Sequence, residues 1–242
     1  MRIAKVAAVM VALAGSLQWV NANAEPNLHE FVTPLTDFSA HIKVIRSDQS
    51  QLAKIGKDFG MLYRFHNLTV HYKEPNRIRI EGQVGGASGV YIMNGTTQRV
   101  AIGFIHTMRN FGDEPGKQKS LLDVGLISNF YLTYTNARFI RQGMLNGRPV
   151  DIFDVTYRDR SDTAHHILYV DPKTKVILKH EAYSQEGKLQ AIYYFKDIKE
   201  VASGIWFPTR IEVRNAEDAV AAITEYKNIK VNIPMPDSLF KV

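Results

Sequence analysis

The chain has 242 residues, no cysteine and a formal net charge of +6. Its bases form no long Lys/Arg run, so nucleic-acid binding is not expected. Without cysteine, neither a disulfide framework nor a lipid-modified N-terminal cysteine is available. The 45% hydrophobic content must therefore hold the fold through a core.

The first 24 residues read as a secretory signal peptide. Arg2 and Lys5 supply the positive start, Val6 to Leu17 the apolar run, and Ala22-Asn23-Ala24 the small-x-small step, with cleavage expected after Ala24. The run is short for a span, which needs about 20 apolar residues. Residues 1–24 carry two bases and no acid, so cleavage lowers the net charge from +6 to +4. Export combined with the absence of cysteine points to a bacterial periplasm. Residues 25–242 then suit a single domain, expected to be monomeric and soluble.

Helical spacing is sparse. Leu28–Leu35 reads as one short helix and Asp48–Lys57 as a second. Between them Ser39–Arg46 reads as a strand, and Tyr63–Tyr72 follows as another. The stretch YKEPNRIRIEG, Tyr72 to Gly82, then alternates Arg77, Ile78, Arg79, Ile80 and Glu81. That period of two predicts a strand with one wet and one greasy face over Arg77–Gln83. Val90–Met93 ends at Asn94-Gly95, a hairpin signal. The longest predicted helix is Lys119–Asn136, where Leu122, Ile127, Phe130 and Tyr134 fall on a rough helical stripe.

The remainder reads as strands joined by short turns. Arg138–Gln142 and Val150–Arg158 flank Asn146-Gly147, and His165–Val170 and Val176–Tyr183 flank Asp171-Pro172-Lys173-Thr174. Leu189–Lys196, Ile205–Arg214 and Ala219–Val231 complete the series. Short connections of this kind make an antiparallel meander. Over about ten strands, one face of each is apolar. Phe153, Val155 and Tyr157 lie on one side, as do Tyr193 with Phe195, and Phe207 with Ile211 and Val213. A large sheet with one apolar face must curl, pair with a second sheet, or be covered. It either packs its own side chains or leaves a concave apolar space for a lipid-like ligand.

Catalytic and metal motifs are not found. Gly86-Ala87-Ser88-Gly89 lacks the last glycine of a nucleophile elbow, since Val90 stands there. The Gly82, Gly85, Gly86, Gly89 cluster lacks the Lys-Ser/Thr of a phosphate loop and reads as a hairpin. His165 and His166 are adjacent on a strand and point to opposite faces, as do Asp151 and Asp154. No cofactor, no metal and no enzymatic activity are expected.

Three stretches together resemble the periplasmic lipoprotein-localisation carriers of the LolA/LolB-like family. They are YKEPNRIRIEG followed by GVYIMNGTT (Gly89 to Thr97), then GIWFPTRIEV (Gly204 to Val213), and NIKVNIPMPDSLF (Asn228 to Phe240). The resemblance implies a mainly β chain with a few helices: an unclosed antiparallel β-barrel, a curved meander sheet, covered by a helical lid. It implies a cavity that binds a lipid, or the acyl chains of a lipoprotein bound for the outer membrane. A donor or acceptor protein at the inner or outer membrane would be its partner. The residues expected to line the cavity are Ile78, Ile80, Tyr91, Phe153, Phe195 and Phe207 from the sheet, with Leu122, Ile127 and Phe130 from the lid. In the family an arginine before the Pro-Asn step ties lid to barrel; here Glu74 occupies that lid-contact position. The envelope-stress regulator RseB shares this sheet architecture, so a sensor acting through a protein partner is the alternative reading. A lipid-modifying enzyme built on dispersed residues such as His165 or His166 is the third.

Overall fold

The computed structural model describes residues 25–56, 59–112, 114 and 118–242. The expected signal peptide and its cleavage site lie outside the described residues. All the named strands join one antiparallel sheet. In chain order they are β1 (Asp37–Ser47), β2 (His66–Lys73), β3 (Arg77–Val84), β4 (Ala87–Asn94), β5 (Thr97–Ile102), β6 (Ile105–Asn110), β7 (Thr135–Leu145), β8 (Arg148–Tyr157), β9 (His165–Val170), β10 (Ile177–Tyr183), β11 (Leu189–Ala202), β12 (Ile205–Asn215) and β13 (Val220–Val231). Their spatial order is β6-β5-β4-β3-β2-β1-β13-β12-β11-β10-β9-β8-β7. The meander is broken once, where β13 returns to pair with β1. That pairing leaves β6 and β7 as the two edges, so the sheet does not close.

Turn chemistry fixes the hairpins. Asn146 and Gly147 both take positive φ (50° and 78°) between β7 and β8, the backbone that a tight two-residue hairpin requires. The seam between β1 and β13 is stitched by Asn232. Its side-chain oxygen accepts from the Thr36 N–H at 2.9 Å, and its amide donates to the Pro34 carbonyl at 3.1 Å. The chain then folds back over the outer face. Lys73 and Arg77 both reach Asp237, at 2.7 and 2.8 Å. A 3-10 turn at Asp237–Phe240 packs on β3 and β4, and Phe240 is fully buried there. The asparagine, prolines and final Leu-Phe of NIKVNIPMPDSLF are thus a clasp across the outside of the sheet.

The inner face is continuous across distant strands. Phe38, Ala40 and Ile42 of β1 share one apolar core with Leu68, Val70 and Tyr72 of β2, Ile78 of β3, Phe153 and Val155 of β8, and Ile211 and Val213 of β12. The greasy side of YKEPNRIRIEG therefore faces this core, while Arg77 and Arg79 point outward to the C-terminal clasp.

Several expected elements differ. The predicted helix Lys119–Asn136 is not one helix. Ser120 caps a 3-10 turn at Leu121–Val124, Gly125 ends it in the left-handed region (φ 77°), and Ser128 caps a separate five-residue helix at Asn129–Thr133. Each of those residues is a stop or start signal that outweighs the apolar stripe. Leu28–Leu35 is helical only as a 3-10 turn at Leu28–Phe31. The Asp48–Lys57 helix is α1 (Gln49–Ile55), with Asp48 as its N-cap; Lys57 lies outside the described residues. Tyr63 belongs to a 3-10 turn at Phe59–Arg64, before the strand rather than in it. The glycine cluster does form a hairpin at Gly85-Gly86. Gly82 and Gly89, however, lie in strands, where a Cβ would come within 2.7 Å of the His66 carbonyl and 2.5 Å of the Phe65 ring. Strands β5 and β6 carry no alternation and were not expected. Among the described residues, no helix is long and apolar enough to cross a membrane.

Candidate functional site

The cover over the inner face is a set of short segments. The backbone at Ile127 bridges Val32 in parallel, and its carbonyl accepts from the Thr33 N–H at 2.9 Å. The Gly125 carbonyl accepts from Ile177 N–H at 2.9 Å, which ties the cover to the start of β10. At Gly125 the backbone lies directly on the Phe195 ring: a Cβ added there would sit 2.6 Å from it. Leu121, Leu122, Val124, Leu126, Ile127, Tyr131 and Leu132 fill the space beneath and join the sheet in one core. Phe31 meets Phe153 edge-on at 5.5 Å, and Phe38 meets Phe207 at 5.2 Å.

Most sequence-predicted lining residues converge here. Ile78, Leu122, Ile127, Phe153, Phe195 and Phe207 are buried members of this core, and Ile80 packs at its border. Tyr91, the cross-strand partner of Ile80, is buried on the same face, and its hydroxyl accepts from the Gln98 amide at 3.2 Å. Phe130 stands apart, half-buried and packed edge-on against Tyr134 at 5.3 Å. The core residues are covered by one another, so the lid is shut on a filled interior. Two hollows of about 380 and 480 Å³ are lined by none of the predicted residues. One lies at the β7–β8 hairpin beside Met144 and Pro149, the other on the outer face beside His41, His71 and Lys230.

Glu74 follows β2, half-buried, with chemistry unlike an arginine's. Its carboxylate accepts from the Tyr72 hydroxyl at 2.9 Å, and burial raises its pKa against the lowering by the Tyr72 and Ser128 hydroxyls.

The interior also holds polar groups that sequence reasoning did not gather. The Tyr157 hydroxyl bonds His166 Nε2 at 2.8 Å, and His166 Nδ1 bonds His180 Nε2 at 2.8 Å. Burial holds His166 down to about 4 and His180 well below its ordinary value, so both rings are neutral at pH 7. His165 instead stacks on Tyr183 at 4.5 Å on the opposite face, as the strand period requires. The Tyr131 hydroxyl is buried in the lid without a hydrogen-bond partner among the described residues.

A second region is only half covered. Between the Phe59–Arg64 turn and the lid, Phe59, Tyr63, Ile80, Tyr193 and Tyr226 remain half-buried although they face inward. Phe59 lies 5.9 Å from Tyr63 and 6.4 Å from Tyr193, ring to ring. Above them Lys119 pairs with Asp123 at 2.9 Å. These residues form a border of the covered inner face. The signal that marks it in the sequence is the Ser120-x-x-Asp123 capping box, which fixes Asp123 one turn after Lys119.

Residues 117–242 match the model of a family described as "Uncharacterized protein"-like. The chain belongs to that family. A search of the curated proteins finds no match. Among solved structures, the chain is similar to a candidate outer membrane lipoprotein-sorting protein domain from Vibrio parahaemolyticus. The TM-score is 0.61 at 11% identity, covering 88% of this chain and 92% of that one. It is similar to a LolA superfamily protein from Nitrosomonas europaea, with TM-score 0.60 at 16% identity, covering 88% and 93%. A DUF1329 family protein from Desulfovibrio piger gives 0.51 at 12% identity, covering 88% and 92%. The fold is LolA-like, which agrees with the resemblance carried by the three sequence motifs.

Proposed function

We propose that this chain is a periplasmic carrier that holds a lipid, or the acyl chains of a lipoprotein, against its inner face for transfer to the outer membrane. The observation that carries this reading is the nature of the cover. A large apolar sheet face is sealed by short turns and two short helices, of seven and five residues, where a second sheet or a long packed helix would make a permanent core. The LolA-like fold supports the same reading. The chemistry required is burial alone, without catalysis or cofactor.

The energetics suit reversible loading. Burying a methylene gains about 0.8 kcal/mol, so a chain of about sixteen carbons gains on the order of 10 kcal/mol. Lifting the lid exposes several aliphatic side chains at roughly 2 kcal/mol each, a similar total. An acyl chain that takes the place of the lid's contacts therefore shifts the balance without needing a pre-formed void.

The test is lipid co-purification. Ile127→Asp and Phe130→Asp place a charge in the lid, one at its buried seam and one at its half-buried edge. Both are expected to strip bound lipid while circular dichroism still reports the sheet. A folded variant with unchanged lipid content would contradict the reading.

A further inference from the structure

The seam between β1 and β13 carries an irregularity that opens onto the outer face. Ser39 stands opposite Lys230 and His41 opposite Lys227, so Ala40 alone faces both Asn228 and Ile229. The extra residue makes a β-bulge, and Asn228 sits there with left-handed backbone (φ 51°). Bulges interrupt the ladder and re-aim side chains, and they gather beside active sites. Here the bulge borders the outer-face hollow of about 480 Å³, a volume within the range of about 300–1,000 Å³ common to small-molecule sites. Three strands supply its walls. On the other side of β1, Ser39 pairs with His71 and His41 with Thr69. Residues directly opposite one another share a face of the sheet. Lys230, Ser39 and His71 therefore form one row across the hollow, with His41 and Thr69 beside it.

The polar groups of this frame are underused. His71 Nδ1 is buried with no hydrogen-bond partner among the described residues, a costly state for a polar atom. Among the described residues, the Lys230 ammonium forms no ion pair and the Ser39 hydroxyl no hydrogen bond. His41 Nδ1 and Thr69 Oγ1 are hydrogen-bonded to each other at 3.3 Å. Among the described residues, no carboxylate lines the hollow. Glu81, which stands opposite Thr69, is engaged by Arg79 at 2.8 Å, and Glu225 lies 3.6 Å from Arg210 and 3.7 Å from Lys227. From this geometry we propose that the hollow is a phosphate-group site, in which Lys230, His71 and the hydroxyls of Ser39 and Thr69 donate to the oxygens of one phosphate. Donors converging from three strands suit a tetrahedral oxyanion, which accepts in several directions, better than a planar carboxylate. Burial lowers the His71 pKa against the opposing pull of Glu81, so this ring is a neutral donor at pH 7 and Lys230 supplies the charge. A soluble phosphate ester and the phosphate of a lipid headgroup offer the same acceptor oxygens. The site lies on the face opposite the apolar core and does not depend on the carrier reading.

The test is titration calorimetry with inorganic phosphate, glycerol 3-phosphate and acetate, alongside flotation with vesicles of phosphatidate in phosphatidylcholine. Wild type is expected to bind a phosphate-bearing probe and to bind acetate far more weakly. Lys230→Met should weaken phosphate binding by about tenfold to a hundredfold, the worth of one charged hydrogen bond. His71→Phe, which keeps a ring but removes its N–H, should weaken it by about fivefold. Lys43→Met removes the same charge from the outer face of β1 outside the hollow and should change affinity less than about twofold. Circular dichroism and urea midpoints report that each variant folds, and Lys230 is exposed, so its variant keeps the test open even if His71→Phe does not fold. Vesicle binding that glycerol 3-phosphate displaces and Lys230→Met abolishes would assign the headgroup as the source. Binding of the soluble phosphates without vesicle binding would assign the free ester; either outcome supports the site. Acetate bound as tightly as phosphate, equal weakening by Lys43→Met and Lys230→Met, unchanged affinity in Lys230→Met, or binding of neither the soluble phosphates nor the vesicles would overturn the site and leave the carrier reading standing.

Discussion

At the scale of single residues, the inward-facing pair of half-buried His166 and buried His180 sets a pH limit on the fold. His166 bonds Tyr157 and His180 in the interior, and burial holds its pKa near 4, below the ordinary 6.5. Between those values the unfolded chain binds a proton that the folded chain does not. Stability is therefore complete above pH 6.5 and is lost as pH falls toward 4. The wild type should lose about 3 kcal/mol more than His166→Gln across that window, read from urea midpoints at successive pH values. Parallel profiles would mean that the ring is already solvated. The same pair shows what a sequence withholds. Strand periodicity placed His165 and His166 on opposite faces, and they are. That His166 would meet His180 followed only from the pairing of β9 with β10, in which Ala182 stands opposite His166 and Leu168 opposite His180. The packing of Phe59 on Tyr63 and Tyr193 is hidden for the same reason: nothing in a linear pattern says which rings of distant segments meet.

Elements that alternate were legible, and elements governed by caps were not. In β12, Phe207, Ile211 and Val213 fall on the inner face as the two-residue period requires. Strand β6 is exposed at every position and β5 half-buried at every position, so neither has a face for a pattern to reveal. The lid's apolar spacing resembles the stripe of one helix, whereas Ser120, Gly125 and Ser128 divide it. Gly125 is the decisive residue, with φ at 77° and the Phe195 ring where a Cβ would go. Gly125→Ala meets two penalties, the strained backbone and the ring contact. It should cost more than about 1 kcal/mol in denaturant unfolding. It should also raise amide exchange across the lid before the sheet strands exchange. Uniform exchange across lid and sheet would show that the lid is not an independently opening unit.

At the scale of the whole molecule, an open sheet with two free edges keeps one apolar face continuous from β3 to β8, and a segmented cover shuts it. The outer face is built for permanence: the clasp at Asp237 to Phe240, the stitch at Asn232, and Glu212 held between Lys196 at 2.7 Å and Arg214 at 2.6 Å. The inner face, by contrast, is closed by contacts that an acyl chain can replace in kind. The most direct test is photolabelling with a palmitate analogue carrying a diazirine near its chain end, followed by peptide mapping. Crosslinks are expected on the inner face and lid, at Phe195, Phe207, Leu122 or Ile127. Labelling confined to the outer face, or no labelling above a denatured control, would contradict the account.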